Sequence, residues 1–250
     1  MLQPVYEEQV LHELRSWQKQ MLRKPTLANW LAKRAQQKIN AIIPEKVHQV
    51  ITATIKQMIR AVLFGAEFTT RTPTYNYSLE LQEVIIKERI EFYKKTAAAE
   101  GGITGAGGIL LGLADFPLLL SLKLKMLYDI AALYGHNISH YKERLYLLYI
   151  FQLAFSSQEQ RTYIYQQIIN WEEQKHLLPD DIHQFDWRTF QQEYRDYIDL
   201  AKMAQLIPII GAPVGAVVNY RLLDKLGRFA MNAYRMRWQE QKKRVGGNIV

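Results

Sequence analysis

His136 and His140 stand four residues apart with Glu143 three beyond, a spacing that on a helix would offer two imidazoles and a carboxylate to one metal ion. Gly135 and Asn137 interrupt the helical pattern there, which puts His136 outside the helix and separates the pair, so no metal is expected. A second group follows Asp115: Lys123, Lys125 and Asp129 could act as acid and base on a lipid or peptide in a pocket beside it. Their spacing is equally that of a solvated helix face. Asp115, directly before Phe116 and Pro117, is also placed to cap a helix that takes the proline into its first turn. His12, His48, His176 and His183 lie in polar surroundings and read as surface residues. The chain has no cysteine, which removes disulfides, thiol catalysis and Cys-ligated zinc together and suits a reducing compartment. No nucleophile elbow of the Gly-x-Ser-x-Gly type occurs. The sequence thus nominates no catalytic residue and no cofactor.

Six of the thirteen glycines fall within "EGGITGAGGILLGLADFP", residues 100 to 117. A glycine in a helix interior costs about 1 kcal/mol against alanine, so six there demand a compensating gain. A phosphate cradle is one candidate, but no Gly-Lys-Ser/Thr ending and no preceding strand accompany the run, which excludes the nucleotide-binding pattern. Close packing is the other. Projected onto one helix, Gly101, Gly105, Gly108 and Gly112 fall within about 60° of each other. Gly211, Gly215 and Asn219 form a matching series at spacing four. The expectation is that the two segments cross at their glycines, with Asp115 and Asn219 as the polar ends of the two stripes.

These features must be carried by helices, because apolar residues recur at helical spacing and alternating strand patterns are nowhere sustained. Val5, Val10, Leu14, Trp17, Met21 and Leu22 outline a first helix that stops before Pro25. Thr26 can cap a second, and Pro44 can open a third ending near Gly65. Residues 66–77 read as an exposed loop, after which Ser78 caps the next helix, with Glu83–Lys87 and Glu91–Lys95 as i,i+4 pairs on its surface. Gly135 stops the helix after the glycine run, and Ser139 begins another to about Phe155. Ser157 with Gln160 makes a capping box for the one after, and Asp186 can cap a helix through Ala204. A long helix from Pro213 to about Arg244 precedes a frayed tail, residues 245–250. The predicted class is all-α: one domain over residues 1–250, of eight to ten helices.

Hydrophobic content of 48% is ample for a core and excludes general disorder. No secretory signal is apparent, and Asp115 interrupts the longest weakly charged run before it reaches the roughly 20 apolar residues of a bilayer span. Charge concentrates at the C-terminus, where the last thirty residues hold eight basic against two acidic side chains, a net +6. Arg221, Lys225, Arg228 and Arg235 share one helical face there, with Arg237 pointing elsewhere. Such a face suits an anionic membrane surface or an acidic partner. A nucleic-acid backbone would attract it too, but no helix-turn-helix or zinc-finger module is present, so nucleic acid is not an expected partner.

"TGAGGILLGLADFPLLLSLKLKMLYDIAALYG" and "IPIIGAPVGAVVNYRLLDKLGRFAMNAYRMR" resemble the two characteristic segments of the EcsC family, bacterial proteins named for a gene beside an ABC transporter linked to protein secretion. The likeness rests on the glycine run through Asp115, the Tyr134-Gly135 ending, and Pro208, Gly211, Gly215 and Asn219, and it extends over nearly the whole chain. Pro213 departs from the pattern and leaves the start of the last helix open on either side of it. The resemblance implies a bacterial, membrane-linked setting; with the basic C-terminal face it leads to the expectation of a non-enzymatic protein of the bacterial cytoplasm, peripheral to the inner membrane, whose partner is the anionic membrane surface or a membrane protein such as an ABC transporter. It implies no reaction, metal or cofactor. Two alternatives stand beside it: an enzyme acting on a lipid or peptide near Asp115, and a scaffold that exposes an apolar groove to a hydrophobic helix.

Overall fold

A computed structural model describes residues 3–23, 45–64, 77–105, 108–156, 158–184, 186 and 212–247. Its elements are α1 (Gln3–Met21), α2 (Glu45–Phe64), α3 (Leu79–Gly105), α4 (Gly108–Leu133), α5 (Tyr141–Phe155), α6 (Gln158–Ile168), the single turn α7 (Trp171–Gln174), two short 3-10 turns (Lys175–Leu177 and Ile182–Gln184), and α8 (Ala212–Gly247). Every one is helical, which establishes the all-α class. The helices expected after Thr26 and Asp186, most of the 66–77 loop, Ser157 of the capping box, and Pro208 and Gly211 lie outside the described residues.

α8 is the spine. It packs most extensively against α3 and also touches α1, α4, α5 and α7. On α1 the apolar period buries Val10, Leu14, Trp17 and Met21 and leaves the outlying Val5 and Leu22 exposed. Trp17 then meets Phe229 of α8 edge-on at 5.7 Å and Tyr165 of α6 at 5.8 Å, tying three helices into one core. α5 is buried nearly all round, as its continuous apolar run requires.

The cap signals act where the residues stand. Ser78 Oγ accepts from the Leu81 amide at 3.3 Å. Gly135 adopts φ +84°, and the amides of Gly135 and His136 return to the carbonyls of Ala132 and Ala131, a Schellman closure of α4. Asn137 rather than Ser139 organises the entry to α5, its Oδ1 accepting from both the amide and the hydroxyl of Ser139. Pro213 sits in the first turn of α8 as described, where its missing N–H is tolerated, and the helix continues past Arg244 to Gly247.

Two expectations are corrected. The glycine run does not form one helix: α3 ends at Gly105, α4 begins at Gly108, and the two run antiparallel, as the Tyr93–Asp129 and Glu83–Tyr134 hydrogen bonds require. Gly101 and Gly105 therefore stand on one arm of a tight hairpin, and Gly108 and Gly112 on the other. The chain reverses where glycine makes helix weakest. Conversely, no helix starts at Asp115, which falls within α4; its side chain is outside the described set, and Pro117 lies in the helix interior. An interior proline costs about 3 kcal/mol. Phe116, Leu119 and Leu120 on either side of it are buried, at about 1.5–3 kcal/mol each, and outweigh that loss.

Candidate functional site

The α3–α8 seam is an antiparallel ladder. From one end to the other it pairs Glu83 with Arg235, Ile90 with Gly227, and Lys94 with Asp224, while Tyr220 donates to Glu91. Gly227 marks the close approach: a Cβ there would lie 2.8 and 2.9 Å from Ile90 Cδ1 and Cγ2, so only glycine fits without a shift. Gly227 carries no local signal in the sequence, although the spacing-four series through Gly215 and Asn219 reaches it two steps later.

Arg235 is corrected from a surface residue to a buried one. Its Nε and Nη2 donate to the two oxygens of fully buried Glu83 at 2.7 and 2.5 Å, and its Nη1 donates to Glu13 at 2.9 Å. The hydroxyls of Tyr6 and Tyr134 complete the Glu83 carboxylate at 2.7 and 3.0 Å, so its lone pairs are filled from three other helices or their ends. Glu83 is thus not the surface partner of Lys87, which donates to Tyr6 instead. Glu91 prefers Lys94 at 2.9 Å to Lys95 at 4.0 Å. The Glu83–Lys87 pair gives way because a buried bidentate guanidinium is the stronger partner, whereas the Glu91–Lys95 pair persists as the longer of two contacts.

Arg237, two residues on and about 200° round α8, repeats the arrangement on another face. Its Nη2 donates to Glu143 of α5 at 2.8 Å and its Nε to Glu172 of α7 at 2.6 Å, and the guanidinium lies over the rings of Tyr146 and Tyr234. His136, outside any helix, lies tilted against the Tyr234 ring at 5.0 Å, with Nδ1 3.8 Å from Glu143. Burial and then the Arg237 charge push its imidazole down to about 4, so it is neutral at pH 7. His140 is exposed at the entrance to α5, and no cluster of three metal-ligating side chains occurs among the described residues. Glu143 belongs to Arg237.

Of the remaining basic face, Arg221 is exposed, Arg228 is exposed and paired to Asp224 at 3.1 Å, and Lys225 is half-buried against the Phe229 ring. Lys123 and Asp129 do not form a solvated face. Asp129 accepts from Tyr93 at 2.7 Å and Lys125 at 2.9 Å, which commits it to the α3–α4 contact. Lys123 is wholly buried; its Nζ donates to the Leu119 carbonyl at 3.3 Å, and burial, opposed by the Glu100 charge, pushes the amine down to about 7. Gly101 and Asn219 are buried, while for Gly105, Gly108, Gly112 and Gly215 only the helical backbone is described. Both polar atoms of the Asn219 amide lack a hydrogen-bond partner. Among the described residues no helix is long and apolar enough to cross a membrane.

Comparison with known proteins covers almost all of this architecture. The EcsC protein family profile matches residues 8–238, from α1 through both buried arginines. Protein EcsC of Bacillus subtilis (strain 168) is 44% identical over 229 residues, 91% of this chain and 94% of that protein. The uncharacterised protein YdbA of the same organism is 30% identical over 141 residues, 56% of this chain and 52% of its own length. No solved structure matches.

Proposed function

This chain belongs to the EcsC protein family, and on that premise we propose that it is a non-enzymatic protein of the bacterial cytoplasm that works peripherally at the inner membrane, as an accessory to an ABC transporter or secretion system. The observation that carries the proposal is a basic strip over the α3–α8 seam. Arg221 and Arg228 of α8 and Lys95 of α3 are exposed along it, and with Lys94 these four cations exceed the two carboxylates they pair with, Glu91 and Asp224. Exposed Phe92 and Val217 flank the strip, so an apolar contact accompanies the charge. Each basic side chain near an anionic lipid surface contributes about 1 kcal/mol, and that contribution is screened by salt.

Sedimentation with vesicles is the test. Binding should rise with the anionic lipid fraction, fall with salt, and drop on Arg221→Glu with Arg228→Glu. Equal binding to neutral vesicles in high salt, or a charge-reversed protein that binds as well as the wild type, would remove the electrostatic basis of the reading.

A further inference from the structure

α3 carries an outward apolar line in addition to the face it buries. Leu81, Val84, Glu88, Phe92 and Lys95 recur at spacings of three and four, which on a helix places them within about 80° of each other, opposite the buried Ile86 and Ile90. Leu81, Val84 and Phe92 are 44%, 45% and 56% exposed. Singly exposed apolar residues are ordinary; three in line on one helix, with half-buried Ile85 beside them, make a patch. The neighbouring helices extend it on both flanks. On α4, exposed Leu118 and half-buried Lys125 lie within about 40° of Asp129, which accepts from Tyr93 of α3, so that face of α4 borders the outward side of α3. On α8, exposed Val217, Arg221 and Arg228 lie within about 60° of Asp224, which pairs with Lys94 of α3. Charge follows the same layout. On the α4 side Arg89 at 3.9 Å and Lys125 at 2.9 Å share the one carboxylate of Asp129, and on the α8 side Lys94, Lys95, Arg221 and Arg228 outnumber Glu91 and Asp224. The apolar line is thus bordered on both sides by excess positive charge.

We propose that α3 is the helix through which this protein enters the surface layer of an anionic bilayer. It lies along the membrane plane with Leu81, Val84 and Phe92 below the headgroups, as an amphipathic interfacial helix does. Arg89 and Lys125 on one flank, and Lys95, Arg221 and Arg228 on the other, meet lipid phosphates, while Leu118 and Val217 touch the acyl boundary at the margins. Among the described residues Asp129 meets Arg89 at Nε, which leaves both Nη groups of the guanidinium fork to a phosphate. Glu88, exposed between Val84 and Phe92 with no ion-pair partner among the described residues, limits the depth, since a carboxylate is costly among acyl chains. The inference rests on the membrane reading above and adds to it the helix, the side chains and the orientation.

The chain has no cysteine, so one introduced cysteine carries a single NBD fluorophore. Labelled Val84→Cys and Phe92→Cys should brighten and shift to the blue on vesicles of phosphatidylglycerol and phosphatidylcholine, and should be quenched by nitroxides on the acyl chains. Leu177→Cys, at a still more exposed position in the turn after α7, should do neither, because α7 meets α8 through Arg237, on the side turned away from Glu83 and α3. Leu81→Ser, Val84→Ser and Phe92→Ser together should weaken vesicle binding in high salt by about tenfold or more, and Glu88→Gln should strengthen it. Sedimentation of the same samples separates two failures. A protein that does not sediment with vesicles removes the membrane reading and this inference with it. Salt-sensitive sedimentation with the labels at 84 and 92 still in water leaves that reading standing and overturns the insertion of α3. A Phe92→Cys label that shifts to the blue without vesicles as protein concentration rises would put a second copy of the chain on the ridge and overturn it equally. If the triple serine variant does not fold, the labelled single-cysteine proteins decide the matter alone.

Discussion

The two ends of α8 treat polar groups in opposite ways. Toward its C-terminal end Arg235 and Arg237 are buried, and every charge they meet is matched: Glu83 by three donors, Glu143 and Glu172 by one guanidinium. Toward its start Asn219 is just as deeply buried with neither amide atom bonded, Arg221 is exposed, and Lys123 of the neighbouring helix meets a single backbone carbonyl. One helix thus carries two clusters of matched charges and one unpartnered amide, and at the charged end the Tyr234 hydroxyl and the Trp171 Nε1–H beside Arg237 also lack partners. The charged end fixes five helices in place.

The largest expected effect lies at the charged end. Arg237→Met should lower stability by about 3–5 kcal/mol in urea unfolding, because Glu143 and Glu172 would remain buried without their cation. Glu83→Leu should act similarly by stranding Arg235. If either variant loses less than about 1 kcal/mol, the networks are ornamental and the contrast between the two ends fails.

Acid should open the same end next. The His136 imidazole is held down to about 4 against an ordinary 6.5, so between those values the unfolded chain binds more protons than the folded one. Its contribution is fully present above pH 6.5 and is lost as pH falls toward 4, by about 3 kcal/mol for about 2.5 pH units of displacement. His136→Phe keeps a ring against Tyr234 and should flatten the stability curve through that window. An unchanged slope would show that other groups carry the acid sensitivity.

Between the ends, backbone proximity replaces charge. Gly227→Leu should cost about 1–3 kcal/mol or more through Ile90, despite the better helix propensity of leucine. Gly101→Leu should behave alike, since Gly101 is buried and the α3–α8 register sets it level with residues 215–219. Gly246→Leu at the end of α8 should stay within about 0.5 kcal/mol. Thermal melts of the three rank the packing directly, and a silent Gly101→Leu would detach the glycine hairpin from α8. Smallest of all for stability, Arg221→Glu should shift the melt by no more than about 0.5 kcal/mol while weakening vesicle binding.

Local signals in the sequence translated well into elements. The α1 period, the Ser78 cap, the Gly135 stop and the all-α class depend on residues close in the chain, and the two quoted segments carried the family. Long-range partners were not legible in the same way. Arg235 shares a helical face with Arg221 and Arg228, and only the arrival of Glu83 from α3 and Glu13 from α1 makes it a core residue. Lys123 reads as a solvated lysine from its neighbours Ser121 and Lys125, because periodicity says which face a residue occupies and not what covers that face. The glycine run misled for a related reason: six glycines fit a packed stripe and a reversal equally, and the choice was made by α3 and α4 folding back on each other.

Thermal unfolding of Lys123→Met against the wild type at pH 7 tests the central contrast most directly. A lysine that serves the fold lowers the melting temperature when removed; one that the fold buries at a cost raises it. Replacing a buried, poorly partnered amine with an apolar side chain of similar size is worth about 1–3 kcal/mol, or roughly 2–4 °C per kcal/mol in a chain of this length. The account predicts a higher melting temperature for Lys123→Met, opposite in sign to Arg237→Met. A lower one would place Lys123 among the groups that hold the structure together and would contradict the division between the two ends of α8.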